Sequence, residues 1–336
     1  MDPFQRVSLG RSNLMVTRLG LGAGPLAGLF TDVPEGQAIA TVRRALKVGV
    51  RLYDTAPLYG FGKSESRLGK AFQGASRDSF ILATKVGRIL EPEDPAKLAT
   101  RYVEFFDAPP LRAVFDFSYD GVMRSYEESL RRLNLDRVDI LHIHDPDDHW
   151  EEVMRGAYPA LHKLREQGAI RAIGAGMNQP EMLTRFAREG DFDCFLLAGR
   201  YTLLDQSALH ELFPLCVQKR IGIILGGPYN SGILATGAQP GATFSYQSAP
   251  AEILDRVRQI EEVCRAHGVP LKAAALQFPL AHKAVVSIIP GSRSEAELNE
   301  NARMLSFPVP AAFWRDLRDR KLLPPGAPVP DGNVQA

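Results

Sequence analysis

The chain has 336 residues, 45% of them hydrophobic and 24% charged, and its 40 Lys and Arg against 39 Asp and Glu leave a formal net charge of +1. A charge this close to zero excludes a protein built to hold nucleic acid or an anionic membrane surface, and the even spread of apolar residues excludes a disordered chain. No run approaches the roughly 18 apolar residues of a membrane span, and the N-terminus lacks the apolar core of a signal peptide. Three widely spaced cysteines (Cys194, Cys216 and Cys264) make neither a disulfide framework nor a zinc set, and each reads as a small buried hydrophobe. The expectation is a soluble cytoplasmic protein with a small-molecule partner, its oligomeric state left open.

Short β-rich runs alternate with helical spacing along the chain. A Gly-bounded run at 17–22 precedes a helix over 34–49, where Ile39, Val42 and Leu46 recur at three and four and Gly49 stands at the stop. Strand 50–54 is followed by helix 65–72, strand 80–85 by helix 118–133, and strand 138–144 by a helix through Val153, Leu161 and Leu164. Strand 170–174 leads to helix 181–189, strand 194–197 to helix 208–219, and strand 222–225 to a long helix over 252–267, before strand 285–289. Eight strands alternating with helices predict one (β/α)8 TIM barrel spanning residues 1–336. A doubly wound sheet wants G-x-G-x-x-G after its first strand, and Gly20-Leu21-Gly22-Ala23-Gly24-Pro25 has its glycines at the wrong spacing. Residues 87–117 form a long connection after the third strand, long enough to be functional or disordered. A C-terminal helix precedes a proline-rich tail, 324–336, that reads as extended.

Barrel active sites lie at the C-terminal ends of the strands. There the second strand ends at Asp54 with Tyr59 in its loop, the third at Lys85 and the fourth at His144. Singly each has an ordinary structural reading; together they make a proton-transfer set. A phenol with a free pKa of about 10 is a poor base at neutral pH. A nearby ammonium lowers that pKa, a carboxylate keeps the ammonium charged, and an imidazole orients a carbonyl or hydroxyl. Barrels also hold phosphate in the loops after strands seven and eight. Those loops read Gly226-Gly227-Pro228-Tyr229-Asn230-Ser231-Gly232 and Pro290-Gly291-Ser292-Arg293-Ser294, rich in backbone N–H groups and hydroxyls.

Over nearly its whole length the sequence resembles the aldo-keto reductases. The resemblance is carried by Arg51-Leu52-Tyr53-Asp54-Thr55-Ala56-Pro57-Leu58-Tyr59-Gly60 with Ser64-Glu65, by Thr84-Lys85-Val86-Gly87-Arg88, by Asp139-Ile140-Leu141-His142-Ile143-His144-Asp145, and by Ile289-Pro290-Gly291-Ser292-Arg293. It implies that Tyr59 donates or accepts the proton, that Lys85 and Asp54 tune it, and that His144 orients the substrate oxygen. It also implies hydride transfer to or from a nicotinamide cofactor held without a Rossmann fold. The cofactor residues it suggests are Gly22, Ala23, Asp54, Asn178, Gly227, Pro228, Tyr229, Ser231, Gly232, Pro290, Gly291, Ser292, Arg293, Glu297, Glu300 and Asn301, the last two at the adenine end.

Departures from the family pattern narrow the expectation. Many NADP-dependent relatives place Lys and Arg where this chain has Gly291 and Glu297, so NAD is preferred over NADP, with Arg293 the counterargument. The aromatic that commonly stacks on the nicotinamide is replaced by Gly226, and the amide of Asn178 falls one residue late. These features resemble a sugar-oxidising branch of the family, implying oxidation of an aldose at its anomeric carbon to a lactone, with pyridoxal oxidation or general aldehyde and ketone reduction as alternatives. Tyr59, Arg88, Tyr119, His144, Asp145 and Trp150 are the candidate substrate contacts. Two readings of other kinds remain: a metal-dependent hydrolase built on His142 and His144, for which further ligands are hard to find, and a non-enzymatic redox-sensing subunit.

Overall fold

The computed structural model describes residues 1–94, 96–97 and 105–330; part of the long connection after the third strand and residues 331–336 of the predicted tail lie outside the described residues. Eight parallel strands form one sheet: β1 (Leu21–Gly22), β2 (Leu52–Asp54), β3 (Ile81–Val86), β4 (Ile140–His144), β5 (Ala172–Met177), β6 (Cys194–Ala198), β7 (Gly222–Gly226) and β8 (Val285–Ile289). Their spatial order follows the chain, and the bridges Leu19↔Ile288 and Gly22↔Gly291 bring the two edges together. The expected barrel is therefore present. The described helices include α1 (Glu35–Val48), α2 (Lys63–Phe72), α3 (Tyr119–Leu133), α4 (Tyr158–Glu166), α5 (Pro180–Glu189), α6 (Leu212–Lys219), α7 (Ala251–His267), α8 (Leu271–Gln277), α9 (Glu295–Ser306) and α10 (Ala311–Asp319). Among the described residues none is long and apolar enough to cross a membrane.

Strands enclosed between a filled barrel and a helical shell are covered on both faces, which is why β3, β4 and β5 are buried at every position. Their alternation still sorts two kinds of side chain. On β3 the inward set is Ile81, Ala83 and Lys85; on β4 it is Ile140, His142 and His144; on β5 it is Ala172, Gly174 and Gly176. The lower members pack with Leu52, Cys194, Leu196, Ile224 and Ile289 in one apolar cluster. The upper members are polar, or glycines that make room for polar neighbours. A Cβ at Gly174 would stand 2.4 Å from His142 Nδ1, and one at Gly176 would stand 3.5 Å from Lys85 Cε. The three cysteines are free and buried.

Three features depart from the element pattern expected of the sequence. The run at 17–22 is split: Met15–Thr17 pairs with Arg6–Ser8 as a hairpin, and Leu9, Leu14 and Val16 join the apolar cluster at the foot of the barrel. The connection after β3 is built as an arm in which Arg88–Pro92 pairs antiparallel with Leu111–Phe115. Between β7 and α7 lies a second small hairpin, Thr243–Phe244 against Gln247–Ser248. At the C-terminus the chain turns once after α10, Ala327 N–H donating to Pro324 O at 3.0 Å, and Ala327 is buried.

His142 is fully buried, and burial, followed by the Lys85 ammonium, pushes its imidazole down to about 3. The unfolded chain takes up that proton near its ordinary value of about 6.5, so the unfolded state binds more protons and stability falls as pH drops from about 6.5 towards 3. Thermal melts should therefore fall from about pH 6.5 to 4, and His142→Leu should flatten the slope; an unchanged slope would mean the imidazole is not held neutral.

Candidate active site

The strand ends expected to converge do so. Asp54 ends β2, and both its carboxylate oxygens accept from Lys85 Nζ, at 2.9 and 2.8 Å. The third Lys85 proton goes to Thr55 O at 2.8 Å, and the ammonium is 1% exposed. Thr55 also donates through its hydroxyl to Ser64 Oγ, and Ser64 donates to Ala23 O, which ties the start of α2 to the rim. Glu65, fully buried, accepts from Thr84 Oγ1 at 2.7 Å beside Lys85, and from Arg132 Nε at 2.6 Å. The Ser64-Glu65 pair thus fixes the loop and the strand that carry Tyr59 and Lys85.

Tyr59 sits in a compact turn: Gly62 N–H donates to Pro57 O at 2.8 Å, and Ser64 N–H to Tyr59 O at 3.1 Å. Gly60 takes φ +64° there, where a Cβ would press on Ala27 and Lys63 at 2.8 Å. Lys85 Nζ lies 4.6 Å from the centre of the Tyr59 ring, and the His144 ring stands edge-on to it with centroids 5.9 Å apart. Arg88, on the arm, donates to Asp145 Oδ2 at 3.0 Å, and the same oxygen is 3.5 Å from His144 Nε2. Asp54, Tyr59, Lys85, His144, Arg88 and Asp145 therefore form one connected cluster.

The Tyr59 phenol is held well above its ordinary value, by burial first and then by the Asp54 and Asp145 carboxylates and Tyr246, with Arg88 acting the other way. Burial pushes the Asp54 carboxyl up while Lys85 holds it down. Burial, then Lys85, Arg88 and His142, keeps His144 far below its ordinary value, so its imidazole is neutral. Burial also pushes Asp145 up against the pull of Arg88.

The remaining candidates divide. Tyr229 OH donates to Asn301 Oδ1 at 2.7 Å, and Asn301 Nδ2 donates to Ser292 Oγ at 3.1 Å, joining the loops after β7 and β8. Gly22 lies against the second loop through its bridge to Gly291, and Ala23 N–H donates to Asp54 O at 2.9 Å. Asn178 Nδ2 donates to Ala198 O at 2.8 Å beside a cleft of about 280 Å³, also lined by Gly199, Gly227 and Ser231. Pro228 stands between Gly227 and Tyr229, and a Cβ at Gly232 would meet open space. Such a rim of uncovered backbone suits a dinucleotide. Glu297, a cofactor candidate, clamps Arg293, accepting from its Nη2 at 2.8 Å and from its backbone N–H at 2.8 Å. Glu300 is paired with Lys272 at 2.8 Å. Two substrate candidates are not brought to the cluster. The Trp150 ring packs on α5, 4.9 Å from Phe186 and 3.7 Å from the Arg185 guanidinium carbon, because its position opens a helical segment directed at the shell. Tyr119 begins α3 and lines a cleft with Phe115, Glu152 and Arg155 that none of the four strand-end residues touches.

Sequence reading missed Tyr246, which acts on the Tyr59 phenol from the tip of the 243–248 hairpin; its backbone N–H is anchored to Ser231 Oγ at 2.9 Å, a contact no local pattern announces. The hydrolase reading finds no support in the geometry. Among the described residues no three His, Cys, Asp or Glu side chains are grouped to hold a metal ion, and the Lys85 charge acts on both His142 and His144. Removing one partner of a buried pair leaves the other charge stranded, so Lys85→Met should cost about 3 kcal/mol of stability. The double variant Asp54→Asn/Lys85→Met should recover more than half of that in urea unfolding; equal losses would contradict the pairing.

Residues 18–320 match the aldo/keto reductase family. The chain is 40% identical to a D-threo-aldose 1-dehydrogenase from a Pseudomonas species, over 93% of this chain and 96% of the relative. It is 37% identical to a pyridoxal 4-dehydrogenase from Microbacterium luteolum, over 95% and 98%, and 33% identical to an L-galactose dehydrogenase from Arabidopsis thaliana, over 90% and 88%. In fold it is similar to an aldo-keto reductase from Bacillus halodurans, with a TM-score of 0.76 at 24% identity over 98% of this chain and 100% of the other. Sharing the family over nearly its full length, and with a barrel of the same kind around a buried Lys–Asp pair, the chain belongs to the aldo/keto reductases and is an oxidoreductase of that nicotinamide-dependent family.

Proposed function

We propose that this enzyme oxidises the anomeric carbon of an aldose of the L-fucose or D-threo type to a lactone, with NAD preferred over NADP. The observation that carries the reading is the single cluster of Tyr59, Lys85, Asp54 and His144 with the polar pair Arg88–Asp145 beside it, in a chain 40% identical to an aldose 1-dehydrogenase. A pyranose presents several hydroxyls, and Arg88 and Asp145 offer a donor and an acceptor next to the reacting position.

Tyr59, once ionised to its phenolate, takes the proton of the C1 hydroxyl as the C1–H bond breaks and the carbonyl of the lactone forms. Neutral His144 holds the sugar oxygen through an N–H donor, and its low proton affinity keeps it from competing as the acid. Lys85 and Asp54, locked to each other, fix the floor on which Tyr59 stands. A bound oxidised nicotinamide would supply the acceptor for the C1 hydrogen as hydride. Asn178, the Gly227–Gly232 loop, and the Ser292–Asn301 pair are the residues that would hold the cofactor. Because burial holds the Tyr59 phenol above its ordinary value and its phenolate is the proton acceptor, oxidation should speed up on the alkaline side.

The cofactor preference follows from the clamp at α9. With Glu297 bonded to both the guanidinium and the backbone N–H of Arg293, the charge that would greet a 2′-phosphate is already matched. A second reading, pyridoxal oxidation, draws on the 37% relative. Assays of NADH and NADPH formation with L-fucose, D-arabinose, L-galactose and pyridoxal separate the two. We expect an aldose with NAD to be fastest, and pyridoxal alone turning over would overturn the aldose reading. Glu297→Arg should raise the NADP-to-NAD ratio of kcat/KM by about tenfold, the worth of one charge-assisted contact; an unchanged ratio would sink the clamp argument.

A further inference from the structure

We propose that the cleft between the arm and the start of α3 is a second carbohydrate subsite. It takes a neutral sugar ring joined to the aldose that is oxidised at the strand-end cluster. The inference rests on the proposed aldose oxidation and extends its substrate class to reducing disaccharides.

The cleft has a volume of about 730 Å³ and is lined by Phe115, Asp116 and Tyr119 on one side and by Glu152, Arg155 and Gly156 on the other. That size is in the range of roughly 300–1,000 Å³ typical of small-molecule pockets. Phe115 and Tyr119 are each 42% exposed, and two large rings left open on one cleft are the informative kind of exposure. Their support is rigid. The Phe115 ring stacks at 5.5 Å on buried Phe117 and lies 4.8 Å from the His149 ring. Phe117 fits against Gly87, where a Cβ would run into its ring. On the opposite side the helical segment widens into a π turn over Val153–Ala157, a rare form that often marks a functional place. Gly156 in that turn comes so close to the entry of α3 that a Cβ would run into Phe117 O, so any side chain there would push the two walls apart.

The polar groups of the cleft select the ligand. The Asp116 carboxylate is held by Ser118, through its N–H at 3.1 Å and its hydroxyl at 2.6 Å, and by Arg124 Nη2 at 3.3 Å. Glu152 Oε2 lies 3.2 Å from His149 Nδ1. Arg155, the cation of the lining, donates to Glu151 at 3.2 Å, so its charge is already matched. Two fixed carboxylates and a matched guanidinium disfavour an anion such as a phosphate, and each carboxylate can accept more hydrogen bonds than these. A pyranose meets both halves of the lining: its apolar C–H face lies on Phe115 or Tyr119, and its hydroxyls donate to Asp116 and Glu152.

The cleft also adjoins the reacting position. The Phe115 ring centre is 4.2 Å from the guanidinium carbon of Arg88, and Arg88 donates to Asp145 beside His144. Asp116 N–H donates to Gly87 O at 3.0 Å, two residues after Lys85. Cleft and cluster are thus neighbours on the barrel rim, separated by the Arg88–Phe115 pair, and the glycosidic link of a disaccharide would cross the rim over that pair.

The test compares the fastest aldose of the panel above with a disaccharide that carries a β-galactosyl ring on that aldose as its reducing end. In the wild-type enzyme kcat/KM should be about tenfold higher for the disaccharide, through a lower KM, the worth of one ring stacked on an aromatic face. Tyr119→Ala should remove most of that preference, and Tyr119→Phe should keep it, because the ring does the stacking. A disaccharide no better than the aldose, or a preference unchanged in Tyr119→Ala, would overturn the inference. A second measurement needs no turnover. Methyl β-galactoside, which has no free C1 hydroxyl, should shift the ring-carbon NMR signal of Tyr119, identified by its loss in Tyr119→Ala; an unmoved signal would also overturn the inference. If no aldose is oxidised and the Tyr119 signal moves, the proposed function fails and the cleft stands as a sugar site. If aldoses are oxidised and the signal stays, only the subsite fails.

Discussion

The structure depends on one buried ion pair. Lys85 and Asp54 are 1% and 4% exposed, and two charges in such a place are tolerated only because every ammonium proton and both carboxylate oxygens are matched. The barrel is shaped around them. Gly174 and Gly176 empty one wall of the interior so that His142 and Lys85 can occupy it, while the inward positions one and two steps lower on the same strands are filled with Ile81, Ala83, Ile140 and Ala172. The hairpin that carries Leu9, Leu14 and Val16 closes the foot of the barrel. An apolar floor and a polar top in one set of strands are a direct outcome of period-two alternation.

The pair sits among groups that burial keeps uncharged. Burial first, then the Asp54 and Asp145 carboxylates, holds the Tyr59 phenol above its ordinary value. Burial and then the Lys85 charge keep the two inward histidines, His142 and His144, neutral. The loops after β7 and β8 are cross-linked in a similar spirit, Tyr229 to Asn301 to Ser292. Arg293 and Glu297 satisfy each other at the start of α9.

Much of this was legible in the sequence, and the parts that were not share a cause. Alternating β and α runs gave eight strands and hence a barrel, and each strand-end polar residue fell on the inward face because the alternation within Ile81-Leu82-Ala83-Thr84-Lys85 leaves no other choice. The arm after β3 read as a long connection, functional or disordered, containing Pro92 and Pro109-Pro110, whereas Arg88–Pro92 and Leu111–Phe115 pair as strands. Tyr246 acts on Tyr59 from a hairpin anchored by its N–H on Ser231, and that bond between residues 15 apart has no periodic signature. Trp150 read as a candidate substrate contact, whereas the helical turn it opens directs the ring onto Phe186. The direction of the Tyr59 shift needed burial, which residue types alone do not give.

The central claim is that Tyr59, buried beside the Lys85–Asp54 pair, rests as a neutral phenol. Carbon-13 NMR of protein labelled at the tyrosine ring carbon bearing the hydroxyl tests it directly, with the Tyr59 signal identified by its loss in Tyr59→Phe. At about pH 10, where a solvated tyrosine is half ionised, the ligand-free wild-type protein should still show Tyr59 at the chemical shift of the protonated phenol. A Tyr59 signal already at the phenolate position at that pH would contradict the account.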